Sequence, residues 1–121
     1  MDQKPAFNKI VDTINKEDFI SFFTECDPGE WFSKRELETF SYPNNIRSLA
    51  GRYLIKRTIC KFLGQNENMN EIEILNNDLG KPEISLGKNV LEKTRLAGIR
   101  EIQCSISHSK NFIAGMTILC F

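Results

Sequence analysis

The sequence predicts an α+β fold in which an antiparallel sheet packs on one long central helix. The first indication is the segment 46–64, IRSLAGRYLIKRTICKFLG, the longest run with the apolar spacing of a helix. The second is the order of elements, since helical patterns dominate the first half of the chain and strand patterns the second. One further helix is predicted among the later strands, and this order is typical of α+β proteins.

Before the central helix, the chain alternates weakly over Ala6–Ile14 and so predicts a short strand. Closely spaced phenylalanines over Lys16–Thr24 predict a helix, and residues 27–29 (DPG) predict a turn. Ser33 and Glu36 have the spacing of a capping box, which predicts a short helix that begins at Ser33.

The central helix is predicted to begin after the break at residues 42–45 (YPNN), with Asn44 or Asn45 as its N-cap. Gly64 stands where a left-handed residue commonly ends a helix. Apolar residues spread around most of the helix circumference, so we expect several neighbouring elements to bury it.

Five cations and no acid lie on this helix, in a chain whose net charge is zero: Arg47, Arg52, Lys56, Arg57 and Lys61. Helical spacing places Arg52 and Lys56 on one stripe, and Arg57 and Lys61 on another. Like charges at this spacing cost about a few tenths of a kcal/mol per pair unless an anion lies between them. The pattern predicts a cleft for a phosphate; a face of solvated cations is the alternative.

After the helix, residues 65–70 are predicted to be a polar loop. Residues 71–75 and 83–86 read as two strands of a hairpin around the turn-rich stretch 76–82. A helix over 88–97 is predicted to end at Gly98, followed by strands over 102–106 and 112–121.

Composition restricts the function classes. A chain of 121 residues is expected to form a single domain, over residues 1–121. The balanced charge argues against nucleic-acid binding by the whole domain, which usually needs a strongly basic surface. No segment has the composition of a signal core or a membrane span, so a cytoplasmic protein is expected. The four scattered cysteines and one histidine favour reduced thiols over a disulfide or a zinc site.

Two short stretches in the second half could carry chemistry. The first is SISHS at 105–109, where His108, the only histidine, stands at the end of a predicted strand. The second is the turn of Gly80, Lys81 and Pro82. Each is by itself compatible with a purely structural role.

In their order and spacing, these stretches resemble a known family. LAGRYLIK at 49–56 continuing to Lys61, IEI at 72–74, GKP at 80–82 and SISHS at 105–109 before an apolar strand resemble holo-acyl-carrier-protein synthase. This family is the short, single-repeat branch of the 4'-phosphopantetheinyl transferases. FSKREL at 32–37 resembles the family's F-T-x-x-E-L segment, and the resemblance covers roughly residues 30–121.

The resemblance implies an α+β fold like that of the 4'-phosphopantetheinyl transferases, and an enzyme that needs magnesium. Such an enzyme transfers phosphopantetheine from coenzyme A to a serine of an acyl carrier protein of fatty-acid or polyketide synthesis. It also implies trimers, with coenzyme A in the cleft between subunits.

By the same resemblance, Lys61 and His108 are the catalytic residues, beside the pyrophosphate and the nucleotide phosphates respectively. The implied coenzyme A-binding residues are Arg52, Lys56, Arg57, Lys61, Gly80, Lys81, Pro82, Ser107 and His108.

The chain departs from the family's pattern at the implied magnesium site. The family's central helix carries a glutamate ligand where this chain has Arg57, and an arginine cannot hold a hard cation that needs oxygen ligands. Asp12 matches the second protein ligand, without the glycines that precede it in the family. In one interpretation Arg57 binds the pyrophosphate directly, and the protein binds coenzyme A with weak, metal-independent or no catalysis. In the other the pocket has lost its nucleotide, and the chain is a non-catalytic homologue that binds a carrier protein or another subunit. An unrelated α+β domain is the third interpretation.

Overall fold

The computed structural model describes residues 6–64 and 69–121. The helices are α1 (Lys16–Glu25), α2 (Pro28–Trp31), α3 (Lys34–Thr39), α4 (Ile46–Leu63) and α5 (Lys88–Leu96), with a 3₁₀ turn at Met69–Glu71. The strands are β1 (Phe7–Asn15), β2 (Ile72–Asn76), β3 (Pro82–Leu86), β4 (Glu101–His108) and β5 (Phe112–Cys120). The predicted loop at 65–70 falls largely at residues 65–68, outside the described residues. None of the described helices is long and apolar enough to cross a bilayer.

The strands form two antiparallel sheets. In the larger sheet the order is β1-β5-β4, and in the smaller one β2 pairs with β3 as a hairpin. One row across the larger sheet contains Asp12 of β1, Gly115 of β5 and Ile106 of β4, because Gly115 is opposite both of the others. The predicted fold class is confirmed.

Helix α4 crosses the larger sheet along this row. Gly51 lies against Ile106 of β4, with no space for a Cβ atom. Further along α4, a Cβ on Gly115 of β5 would stand 3.0 Å from the Cβ of Leu54. Still further, Arg57 reaches Asp12 of β1. The two glycines allow the helix to approach the sheet closely, and α4 therefore runs from the β4 edge to the β1 edge.

Helices α1 and α2 cover another side of α4 with aromatic rings. The Tyr53 ring of α4 lies 4.8 Å from that of Phe22 in α1 and 5.8 Å from that of Trp31 in α2, measured between centroids. Such tilted and edge-on pairs add to the stability that apolar burial supplies. This packing fixes the ring of Tyr53 one helical turn before Arg57.

The predicted ends of several elements are confirmed. The Ser33 hydroxyl accepts from the backbone N–H of Glu36 at 3.1 Å and the Glu36 carboxylate accepts from that of Ser33 at 2.9 Å, which completes the capping box. Gly64 ends α4 with a φ of 75°. The stretch predicted as a turn at 27–29 instead begins α2, because the Asp27 carboxylate accepts from the N–H of Gly29 at 3.0 Å. Asn45 occupies the N-cap position of α4 without a side-chain cap hydrogen bond.

Candidate functional site

The two basic stripes of α4 lie in different surroundings. Arg52 and Lys56 are almost completely buried, with 4 % and 0 % of their surface exposed. Arg57 has 35 % of its side chain exposed, and Lys61 lies on the surface. Only the second stripe is therefore open to a ligand in a single chain.

Arg52 is held by the small sheet. Its Nε donates to the carbonyl of Ile74 at 2.9 Å and its Nη2 to the Asn76 side-chain oxygen at 2.9 Å. Its guanidinium lies over the ring of Phe40, 3.7 Å from the centroid. Burial lowers the pKa of Arg52, while the charge of Glu36 opposes this. The geometry favours a structural role, and the binding of coenzyme A by Arg52 stays a prediction.

Lys56 forms a buried ion pair with Glu36 of α3. Its ammonium donates to Glu36 Oε1 at 2.5 Å and to the carbonyl of Met69 at 3.0 Å. Glu36 Oε2 accepts from the backbone N–H of Ile74 at 2.9 Å, and both side chains are 0 % exposed. Burial lowers the pKa of Lys56, and the charge of Glu36 opposes that effect. The pair joins α3, α4 and β2, so the geometry favours a structural role for Lys56 as well, and its predicted contact with coenzyme A stays a prediction.

The second stripe meets the strand that carries Asp12. Arg57 Nε donates to Asp12 Oδ2 at 2.6 Å, and Arg57 Nη1 lies 3.5 Å from the hydroxyl oxygen of Tyr53. The hydrogen bond to Asp12 raises the pKa of Arg57, and partial burial opposes this with a smaller effect. The two residues that match the family's metal ligands are thus in direct contact, although they lie 45 positions apart in the sequence.

The side chains of Asp12 and Arg57 do not form a site for a divalent cation. A hard cation such as Mg²⁺ needs several oxygen ligands, and a guanidinium supplies none. Asp12 Oδ2 accepts from Arg57, and Asp12 Oδ1 accepts from the backbone N–H of Thr13 at 2.9 Å. Within residues 6–64 and 69–121, no group of three histidine, cysteine, aspartate or glutamate side chains could hold a metal ion. The implied magnesium site therefore has neither the charge nor the ligands that the resemblance calls for.

A cavity of about 510 Å³ lies beside this ion pair. Among the described residues, its lining consists of Trp31, Tyr53, Arg57, Cys60, Lys61, Gly64 and Met69. The charged members of this lining are the two cations Arg57 and Lys61, which are one helical turn apart. Since neighbouring like charges repel, a cavity of this kind favours an anion between them.

The other predicted residues lie on the β4 side of the fold. Gly80, with a φ of 79°, and Lys81 are in the turn between β2 and β3, and Pro82 begins β3. Burial raises the pKa of the Cys104 thiol in β4 to about 11, and the charges of Arg52 and Lys81 oppose this effect. Pro82 pairs with Asn76, which accepts from Arg52. Gly51, the neighbour of Arg52, lies against Ile106 of β4. The turn is therefore close to β4.

Ser107 and His108 are exposed residues at the end of β4. At the same end of the sheet, Arg47 near the start of α4 donates to the carbonyl of Lys110 at 3.1 Å. His108 therefore lies towards the start of α4, whereas Lys61 lies in its last turn.

Apart from the buried Arg52 and Lys56, the predicted site residues thus lie in two groups. Asp12, Arg57 and Lys61 form one group, at the β1 edge and the end of α4. The GKP turn, Ser107 and His108 form the other, at the β4 edge. From Gly51, which lies on β4, to Lys61, the helix rises about 15 Å at 1.5 Å per residue. A ligand that contacts both groups must span this distance or lie between two copies of the chain.

Two residues that contact the predicted site residues could not be identified from the sequence pattern. Glu36 is predicted only as part of a capping box, and nothing in the local pattern indicates that its carboxylate is also the buried partner of Lys56. Tyr53, which contacts Arg57, is predicted only as part of the apolar circumference of α4. Its position four residues before Arg57 is a signal that could have paired the two.

Comparisons with known proteins agree with the motifs. The chain is 35 % identical over 115 residues to a holo-[acyl-carrier-protein] synthase of Buchnera aphidicola, an alignment that covers 91 % of each protein. It is 33 % identical over 92 residues to a holo-[acyl-carrier-protein] synthase of Clostridium tetani, with 73 % of each covered. No protein-family model matches the sequence.

Solved structures show the same fold at lower identity. The holo-[acyl-carrier-protein] synthase of Neisseria meningitidis superposes with a TM-score of 0.79 at 20 % identity, over 92 % of this chain and 95 % of that one. The Helicobacter pylori synthase in complex with coenzyme A gives a TM-score of 0.76 at 19 % identity, over 93 % of this chain and 99 % of that one.

Proposed function

Because this chain belongs to the holo-[acyl-carrier-protein] synthase family, we propose that it transfers 4'-phosphopantetheine from coenzyme A to a serine of an acyl carrier protein. The identity to curated synthases over nine-tenths of the chain carries this conclusion. As a 4'-phosphopantetheinyl transferase, the protein releases 3',5'-ADP as the second product. Its carrier protein serves fatty-acid or polyketide synthesis.

The reaction is a phosphoryl transfer. The serine oxygen forms a bond to the phosphorus that bears the pantetheine arm, and the serine hydroxyl gives its proton to solvent. The bond from this phosphorus to the bridging oxygen of the pyrophosphate breaks, and the electron pair stays with the phosphate of 3',5'-ADP. Positively charged side chains that are already in position stabilise the charge that develops on these oxygens.

Lys61 and Arg57 are the cations that the structure offers for this task. Both line the cavity at the end of α4, and neither has its charged group fully buried. We assign the pyrophosphate to this cavity, with Lys61 as a catalytic residue. The second group of predicted site residues, which consists of the GKP turn, Ser107 and His108, binds the nucleotide.

The test is a mass measurement on an apo carrier protein after incubation with the purified protein and coenzyme A, in parallel with and without magnesium. We expect the carrier to gain the mass of the phosphopantetheine arm. A carrier whose acceptor serine is replaced by alanine is the control and should gain nothing. If coenzyme A binds but no mass is gained at high enzyme concentration, the function is the non-catalytic binding of coenzyme A, which the Arg57–Asp12 contact favours as the second candidate.

The separation of the two groups supports a site shared between copies. The face of the larger sheet that is turned away from α4 carries Phe7, Val11 and Phe112, all more than half exposed, and β5 adds Met116 and Ile118 to it. We propose that copies of the chain cover this apolar face in a trimer, as the family resemblance implies. The GKP turn, Ser107 and His108 of one copy would then complete the cavity that Arg57 and Lys61 line in its neighbour.

Replacing Val11 by arginine tests this assembly. Val11 is 59 % exposed in a single chain, so its replacement should leave the fold intact while it places a charge in the interface. We expect analytical ultracentrifugation to show trimers for the parent protein and monomers for Val11→Arg, with weaker binding of coenzyme A. The matched control is Leu96→Arg, at an exposed position near the end of α5, which should remain trimeric. A monomeric parent protein would contradict the proposal.

A further inference from the structure

The ion pair of Asp12 and Arg57 can take over the electrostatic role of a metal ion at this position. A Mg²⁺ ion held by two carboxylates forms a group of zero net charge. The ion pair of Asp12 and Arg57 also has zero net charge, with no ion bound. The cavity beside it therefore has the overall electrostatic balance of a metal-loaded site.

The guanidinium also has the donors that a phosphate needs. An arginine carries five N–H groups in a planar fork. Asp12 accepts from Nε, and the Tyr53 hydroxyl lies at 3.5 Å from Nη1, beyond the length of a good hydrogen bond. The Nη groups can therefore donate to an anion in the cavity that Arg57 lines. Arginine is well suited to such bidentate contacts with phosphate.

The surroundings hold Arg57 in place for this contact. Asp12 fixes the guanidinium from β1, and the Tyr53 ring lies 5.1 Å from it. Tyr53 is itself packed between rings of α1 and α2. A side chain fixed in this way loses little conformational freedom when the ligand binds.

We propose that Arg57, oriented by Asp12, takes the place of the divalent cation and binds the pyrophosphate of coenzyme A together with Lys61. This proposal rests on the proposed function, because it concerns the same ligand and the same cavity. It states that coenzyme A binds with the same affinity whether or not magnesium is present. The chain carries its own cation at this position and has no requirement for a bound metal there.

The first experiment is calorimetric titration of the native protein with coenzyme A, once with EDTA and once with MgCl₂. Equal affinities under the two conditions are expected. Binding only in the presence of magnesium would overturn the inference and leave the proposed function intact. No binding under either condition would overturn both.

The second experiment uses Arg57→Glu, which restores two facing carboxylates. In EDTA we expect this variant to bind coenzyme A about 10- to 100-fold more weakly, the loss typical of one charge-assisted hydrogen bond. Magnesium should recover part of this loss. The matched control is Arg95→Glu, since Arg95 is also an arginine beside a carboxylate, that of Glu92 at 3.7 Å, and lies away from the cavity on α5. It should bind coenzyme A as the parent protein does.

A metal-binding measurement without coenzyme A gives an independent readout. Electron paramagnetic resonance of Mn²⁺ should show an unchanged free-ion signal with the native protein. With Arg57→Glu the free-ion signal should fall, because two carboxylates then face each other. A decrease of the signal with the native protein that Asp12→Asn abolishes would contradict the inference. An unchanged free-ion signal with the native protein supports the inference whether or not Arg57→Glu folds, and circular dichroism must show that Asp12→Asn is folded before its loss of signal change is counted.

Discussion

Replacing Glu36 by alanine is expected to lower the free energy of unfolding by about 3–5 kcal/mol, the cost of leaving one charge of a buried ion pair without its partner. Glu36 and Lys56 are both 0 % exposed, so the remaining ammonium would have no access to water. The backbone N–H groups of Ser33 and Ile74 would lose their acceptor as well. Chemical denaturation followed by circular dichroism measures the change.

The control for this prediction is on the same helix. Glu38 pairs with Lys34 at 3.9 Å, but the Lys34 and Glu38 side chains are 91 % and 63 % exposed. An exposed pair of this kind contributes about 0–1 kcal/mol, so Glu38→Ala should change the stability little.

A double-mutant cycle with Lys56→Met separates the contribution of the ion pair from the other contacts of Glu36. In the Lys56→Met background, Glu36→Ala should lower the free energy of unfolding by less, because no buried ammonium is left without a partner. Equal costs in the two backgrounds would show that the ion pair does not couple the two residues.

Replacing Lys61 by alanine is expected to lower kcat/KM for coenzyme A about 100-fold, the lower end of the loss seen when one preorganised group that stabilises developing charge is removed. Lys61 lines the cavity beside Arg57, and its side chain is exposed at the end of α4. For the same reason its removal should leave the midpoint of denaturation unchanged. Initial rates of carrier-protein modification, measured by mass or by release of 3',5'-ADP, provide the test.

The matched control for Lys61 is Lys34→Ala. Lys34 is also an exposed helical lysine, but it lies on α3, outside the cavity lining. Its replacement should leave kcat/KM unchanged. Equal rates for Lys61→Ala and the parent protein would place the pyrophosphate elsewhere.

The local elements could be predicted because their signals lie within a few residues. The capping box needs only Ser33 and Glu36, and the end of α4 needs only Gly64 in a left-handed conformation. The hairpin of β2 and β3 follows from two short alternating runs around a turn. The prediction was less accurate at residues 27–29, which were predicted as an isolated turn. The carboxylate of Asp27 caps a helix there, so these residues begin α2.

The roles of the cations on α4 could not be predicted from spacing alone. Arg52, Lys56, Arg57 and Lys61 form two similar stripes in the sequence. Their surroundings depend on elements far along the chain, since β2 and α3 bury the first pair while β1 provides the carboxylate for Arg57. The sequence motifs assign all four to coenzyme A, and the geometry leaves only the second pair beside an open cavity.

By itself, the sequence determined the family, the α+β fold and the departure at Arg57, because motif order and residue identity are properties of the chain. Only the tertiary structure decided that Arg57 meets Asp12 and that Lys56 meets Glu36. The reason is physical: a buried or half-buried charge takes its stability from whichever opposite charge the packing brings within hydrogen-bond distance. Here that packing depends on Gly51 and Gly115, which allow α4 to lie close enough to the sheet for Arg57 to reach Asp12.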